Sequence, residues 1–416
     1  MATSVGLSGC GASGAGGDGK VTLRFAWWGG DLRNKMTTEV IAAFEQANPN
    51  IKIAPEPGSF EGYFDKLATQ VASGNAPDVI QMPDGYFNEY VGRGALLDLT
   101  KLPIDHTDID DAVWNTGVVG GKIYGVPNGV NTHVVIANPD LFKKAGVPLP
   151  DDKTWTWEDY QKTAQALSDK LPDNEYGSSA FGLDQNGLAV WLRQHGKQLF
   201  TFDRKLGFQA ADAAPFFELL KKMSDSGAVP KAEEVSEQVG VTLEQSGTAT
   251  GHYAMGWWAS NQVANLNTAS GKELKILRLP TVDGIAANAK FAIGGGWYTA
   301  SAKTKYPDAV AKFMNFVIND RRAGEILLTE RGAPANTKIR KALQDSGKLT
   351  PADSQSIDFL NALSEVAMNP PPAVPPVGAG GFQDILRRYT VEVLFGREAP
   401  ASAAQKLIDE ANASIK

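Results

Sequence analysis

Two pairs of tryptophans in this 416-residue chain stand where a strand-like run meets glycine. Trp27-Trp28 precede Gly29-Gly30, and Trp257-Trp258 follow Gly256. Asp31 and Arg33 lie just beyond the first pair, Asn261 just beyond the second, and Asp84 follows the run PDVIQM. Trp297 comes after the triplet Gly294-Gly295-Gly296, and Asn131 sits in a short-strand region. An indole beside glycine suits a flat, weakly polar ligand. The ring offers a face for C–H groups, and glycine lets backbone N–H groups approach closely. Carboxylate, guanidinium and amide groups can then pair with hydroxyls. Sugars carry both kinds of surface, and small-molecule pockets combine aromatic walls with a few placed polar groups.

The candidate ligand contacts are therefore Trp28, Gly29, Asp31, Arg33, Asp84, Asn131, Trp191, Trp257, Trp258, Asn261, Gly295 and Trp297. Neighbouring residues of a strand face opposite sides, so one indole of each pair is expected in the core and one in a cleft. Gly295 marks either a close backbone approach or a hinge. Trp155 and Trp157 flank a helix start and are expected to pack. Arg33 has two readings, a ligand contact or a surface pair with Asp31.

Catalytic signals are thin. A glycosidase needs two carboxylates across the scissile bond. Glu61 and Asp84 could be imagined in that role, but a solvated helix Glu and a hydrogen-bonding Asp explain them more simply. There is no nucleophile elbow and no HExxH motif. The single cysteine and four histidines show no metal-ligand spacing, so neither a metal nor a cofactor is expected. Net charge is −7, which argues against a broad nucleic-acid footprint.

The positioning elements follow from pattern. VTLRFAW, IKIAPEP and PDVIQM read as strands. Between them run helices over 31–47, stopped by Asn48-Pro49, and over FEGYFDKLATQVASG, with a third at GYFNEYVGRG. This alternation predicts α/β units on a mostly parallel sheet. Ligands bind such sheets outside the carboxyl ends of the strands, where these Trp and Asp residues fall. Later come a helix capped by Thr156 with Asp159, a helix over 212–226, strands at YAMGWW and ELKILRLP, and terminal helices at 352–368, 383–395 and 400–415.

The first nineteen residues differ. Leu7-Ser8-Gly9-Cys10 is followed by a Gly/Ser/Ala tract that behaves as flexible linker. The string resembles a bacterial lipobox, with Cys10 the lipidated residue. The basic and apolar parts of a signal peptide are missing, so the sequence is expected to begin inside one. Gly14 to Lys20 fits G-x-x-x-x-G-K, but no strand precedes it and Val21 replaces the Ser or Thr of a phosphate loop.

Taken in order, several strings resemble family 1 extracellular solute-binding proteins of sugar ABC transporters. They are FEQANPNIKI, KLATQVASGNAPDVIQM, YVGRGALLDLT, GGKIYGVPNGVNTHVVIANPDLFKKAGV, TWTWEDY, GHYAMGWWASNQ, AVAKFMNFVIND and ERGAPAN. The resemblance spans Lys20 to Lys416. It implies a periplasmic-binding-protein-like II fold, with two α/β lobes, a ligand cleft and hinge crossings. The crossings would fall near Asn131 to Val135, 280–288 and 336–342. Lobe 1 would comprise 20–132 plus 286–338, and lobe 2 would comprise 136–282 plus 340–416. Carried over, Asp84 matches an acid that binds sugar hydroxyls and Trp257 a stacking tryptophan. Asn131 matches a polar contact at the first crossing, and Phe382 with Gln383 a second-lobe aromatic position. The implied role is a non-enzymatic carbohydrate receptor that serves ABC permease subunits. It would be a monomer, held at the outer face of the membrane through Cys10 or lying in the periplasm, with no nucleic-acid partner. The alternatives are a receptor for a polyol, uronate or glycerophosphodiester, and a secreted carbohydrate-active enzyme.

Overall fold

The computed structural model describes residues 20–415, apart from 202, 286–293, 365–372 and 374 and the side chains of 61, 84, 85 and 364. Cys10 lies outside the described residues, as do the side chains of Glu61 and Asp84.

The alternation seen in the sequence builds the first unit. Strands β1 (Val21–Trp28), β2 (Ile51–Gly58) and β3 (Val79–Met82) are separated by helices α1 (Asp31–Ala47) and α2 (Phe60–Ala72), and α3 (Asp84–Gly92) follows. A small hairpin, β4 (Val118–Val119) and β5 (Lys122–Ile123), precedes β6 (Gly125–Pro127). The second unit holds β7 (His133–Ala137), β8 (Met255–Ala259) and β9 (Lys275–Leu277), and the chain then returns as β10 (Trp297–Ala300).

The first sheet has the order β2-β1-β3-β10-β6. β1 is parallel to β2 and β3, while β10 runs antiparallel to β3 and β6 because it arrives from the opposite side. Strand periodicity sorts the side chains of β1. Leu23, Phe25 and Trp27 join one core with Val40, Ile41 and Phe44 of α1 and with Phe313 of the helix Pro307–Asn319. Ala26 and Trp28 face the other side, toward Tyr63, Phe64 and Leu67 of α2 and Phe87 of α3. Both faces are covered, as a largely parallel sheet requires.

The second sheet is antiparallel, unlike the largely parallel first one. Its order is β8-β7-β9, and both neighbours run antiparallel to β7. The chain leaves β7 into a helical excursion and re-enters from the far end as β8. The helix Val263–Ser270 then carries it to β9. The terminal helices close this unit. Pro400–Ser414 packs on Ala210–Asp225 and Phe382–Leu394 beside it.

Three backbone segments run together between the sheets. Val130 pairs with Ala333 and Asn131 with Gly294 in isolated antiparallel bridges. The packing is too tight for side chains. A Cβ on Gly129 would lie 2.2 Å from the Arg331 carbonyl oxygen, and one on Gly295 would lie 2.3 Å from that of Gly129. Gly295 is thus a close-approach glycine. The stretch 336–342, expected as the third crossing, instead enters the helix Thr337–Asp345, whose Thr337 N–H donates to Asp108 of the first unit. In Pro351–Ser364, Ile357 and Leu360 join the first unit's core, while Gln355 Oε1 accepts from Ile276 N–H in β9 at 2.7 Å.

Candidate functional site

β8 is an edge strand, and this decides what its two tryptophans do. Trp257 packs with one core on one face of the sheet, and Trp258 with another on the opposite face. No strand lies beyond β8, and both residues are among those that line one pocket, of about 320 Å³.

Each indole is held by its N–H. Trp257 Nε1 donates to Tyr160 Oη at 2.8 Å, and Trp258 Nε1 donates to Thr248 Oγ1 at 3.0 Å. The Tyr160 hydroxyl also bonds Ser178, and burial raises its pKa to about 12, so it remains a neutral donor and acceptor. Trp257 rests on Phe181 and Trp157 at ring separations of 5.2 and 5.6 Å. The indole hydrogen bonds are thus met inside the protein, while both rings stay only partly buried at the pocket wall.

The polar lining comes from distant segments. His133 opens β7, and Asp184 caps the helix Gln185–Gln194, accepting from Asn186 N–H at 2.8 Å. Gln383 and Arg387 stand one turn apart on the helix Phe382–Leu394. Arg387 Nη1 donates to Asp384 at 3.2 Å, while its buried Nε–H has no protein acceptor. Burial lowers the His133 pKa and Arg193 adds to this, against the opposing pulls of Asp184 and the Asn186 hydrogen bond. The imidazole is therefore neutral at pH 7.

The first pair splits cleanly. Trp27 is 1% exposed, with Nε1 donating to Asn34 Oδ1 at 2.9 Å. Trp28 is partly exposed at the carboxyl end of β1, among the edges of Phe60, Tyr63 and Phe64. Tyr86, in the first turn of α3, lies flat on Phe64 at 3.9 Å. Asp84 starts α3 at the same sheet end, and Asp31 is exposed in the first turn of α1.

Arg33 pairs with Glu330 and not with Asp31. Its Nε donates to Glu330 Oε1 at 2.7 Å, and its Nη1 to the Trp28 carbonyl at 3.2 Å. Gly29 serves this arrangement, since at φ 155° a Cβ there would lie 2.3 Å from Arg33 Cδ. Asn261 reaches the same place, its Nδ2 donating to the Glu330 carbonyl at 3.3 Å. A larger cavity, of about 450 Å³, adjoins this bridge, but no aromatic residue lines it.

Three further candidates are core. Trp297 is 5% exposed, stacks on Phe87 at 4.3 Å and donates Nε1 to Thr116. Trp191 packs edge-on against Trp157 and donates to the Asp212 carbonyl. Phe382 is 1% exposed, between Phe200 and Phe208. Asn131 lies in the crossing bundle, its backbone paired with Gly294. The lining residues His133, Asp184, Asn186 and Arg387 escaped the sequence reading.

Residues 39–351 match the bacterial extracellular solute-binding protein family. The diacetylchitobiose binding protein DasA of Streptomyces coelicolor is 24% identical over 96% of this chain and 91% of its own length. The maltodextrin-binding protein MdxE of Bacillus subtilis is 26% identical over 84% of this chain and 82% of its own. A lipoprotein of Streptomyces antibioticus is 32% identical, but the match spans only 39% of this chain and 37% of that protein. Among solved structures, an extracellular solute-binding protein family 1 member from Alicyclobacillus acidocaldarius superposes with a TM-score of 0.71 at 28% identity, covering 95% of this chain and 98% of that one. The family match, the two α/β units and the three segments joining them agree: this chain belongs to the bacterial extracellular solute-binding proteins.

Proposed function

We propose that this protein captures a carbohydrate between its two units and delivers it to the permease of an ABC importer, without chemical turnover. The observation that carries the reading is the pair of indoles around the edge of β8, both fixed by internal hydrogen bonds and both lining one polar-rimmed pocket. A sugar ring matches that arrangement, with C–H faces for the indoles and hydroxyls for Asp184, Asn186 and Arg387. The diacetylchitobiose- and maltodextrin-binding relatives support it.

In this reading the sheet containing β1 to β3 forms one lobe and the sheet containing β7 to β9 the other. They close on the solute by bending at residues 128–132 and 294–296, which run beside 330–333. The site combines Trp257, Trp258, His133, Asp184 and Arg387 with Trp28 and Asp84 across the cleft. A lipid on Cys10 would hold the monomeric receptor at the outer face of the membrane.

The test is thermal unfolding against mono-, di- and oligosaccharides, uronates, polyols and glycerophosphodiesters, with each mixture assayed afterwards for product. A ligand at a hundred times its Kd adds ~2.7 kcal/mol to the folded state. The expected result is a shift with one saccharide class and an unchanged ligand. A shift with polyols or phosphodiesters alone would overturn the carbohydrate assignment, and consumed ligand would overturn the receptor.

A further inference from the structure

Phe60 is the most exposed large apolar side chain among the described residues, at 55%. It stands in the first turn of α2, directly after β2 ends beside Trp28. Its place is held by edge contacts, at 5.8 Å and 73° to Trp28 and at 5.6 Å and 79° to Phe64. Such contacts fix a ring without covering it. Phe64 in turn lies flat on Tyr86, at 3.9 Å and 3°. The four rings make a continuous ledge at the carboxyl ends of β1, β2 and β3, where sheets of this kind hold ligands.

The ledge faces the second unit. A Cβ on Gly380 would lie 4.0 Å from Tyr86 Cε1, and Asn88 Nδ2 donates to the Pro375 carbonyl at 2.8 Å. Gly380 leads into the helix whose Gln383 and Arg387 line the indole pocket. Ledge and pocket therefore meet at the start of that one helix. The rim is polar, with Asp384, Glu89 and Asp65 placed around the Tyr86 phenol. Carboxylates beside an aromatic face suit a ring that carries hydroxyls at its edge, and they oppose an acidic membrane surface.

We propose that Phe60 and Tyr86 form a second stacking subsite, so that the cargo is a saccharide of at least two rings spanning ledge and pocket. The inference rests on the carbohydrate reading above. One sugar ring occupies the Trp257–Trp258 pocket, and the next covers the Phe60 face.

The test compares the wild-type protein with Phe60→Ala and Tyr86→Ala by calorimetry. The probes are maltooligosaccharides, N-acetylchitooligosaccharides and β-1,4-galactooligosaccharides of one to four rings. Phe60 is exposed, so its removal leaves the fold intact; the Tyr86 variant is checked by circular dichroism. In the series that binds, wild-type affinity should rise with the second or third ring. Phe60→Ala should cancel that rise, by on the order of tenfold for one covered ring face. An effect equal at every chain length, no effect, or a wild-type preference for the single ring would overturn the ledge and leave the carbohydrate reading standing. Failure of every saccharide to bind the wild type would remove both.

Discussion

Trp257 has two jobs that pull its substitution in two directions. Its ring rests on Phe181 and Trp157, so Trp257→Ala should cost about 3 kcal/mol of stability as well as binding. Trp258 is tied chiefly through Thr248, and Trp258→Ala should weaken ligand binding by ~1–3 kcal/mol with a smaller loss of Tm. Calorimetry and thermal unfolding on the two variants separate these effects. His133 offers a pH test. Burial holds its pKa below the ordinary 6.5, so above 6.5 it is neutral in both folded and unfolded chains. Below 6.5 the unfolded chain takes up the proton first, and stability falls as pH drops toward the folded-state pKa. His133→Gln should reduce the slope of Tm against pH below the ordinary histidine pKa. An unchanged slope would assign it to other groups.

At the scale of elements, what the sequence showed and what it hid have physical reasons. The stop at Asn48-Pro49 and the Thr156–Asp159 capping box are local, and both stand as read. Thr156→Ala should cost about 1 kcal/mol, measured by denaturant unfolding. The period of two correctly separates Trp27 from Trp28, because β1 lies between two strands and its faces stay distinct. It also puts Trp257 and Trp258 on opposite faces, but pattern carries no sign that β8 is an edge. Nor does pattern show that Arg33 finds Glu330 at the other end of the chain, or that His133, Asp184 and Arg387 converge. Those are facts of topology. Gly295 was legible as a constraint, though its partner was not. Gly295→Ala should force the crossing segments apart and cost about 1–3 kcal/mol. A neutral result in denaturant unfolding would mean the backbones can shift at little cost.

For the whole molecule, the Arg33–Glu330–Asn261 bridge ties α1, a crossing segment and the turn after β8 into one assembly. The Glu330 side chain is 8% exposed, so Glu330→Gln leaves Arg33 with a weakened, neutral partner. That change should cost about 2 kcal/mol and shift the distribution between open and closed forms, read by small-angle scattering with and without ligand. Arg331 is buried next to it, donating to Gln81 and Thr37 and lying over the Tyr298 ring.

The position of β10 sets the order of assembly. It is slotted between β3 and β6, two strands made long before it, and reaches them only after the chain has passed through the second unit. Until residues 297–300 emerge, β3 and β6 each present an unsatisfied edge, and the sheet that carries Trp28 is split in two. A newly made chain therefore completes its first sheet only after it has passed through the second. That late, long-range docking is a slow closing step, and until it occurs the ledge and the indole pocket have no common frame.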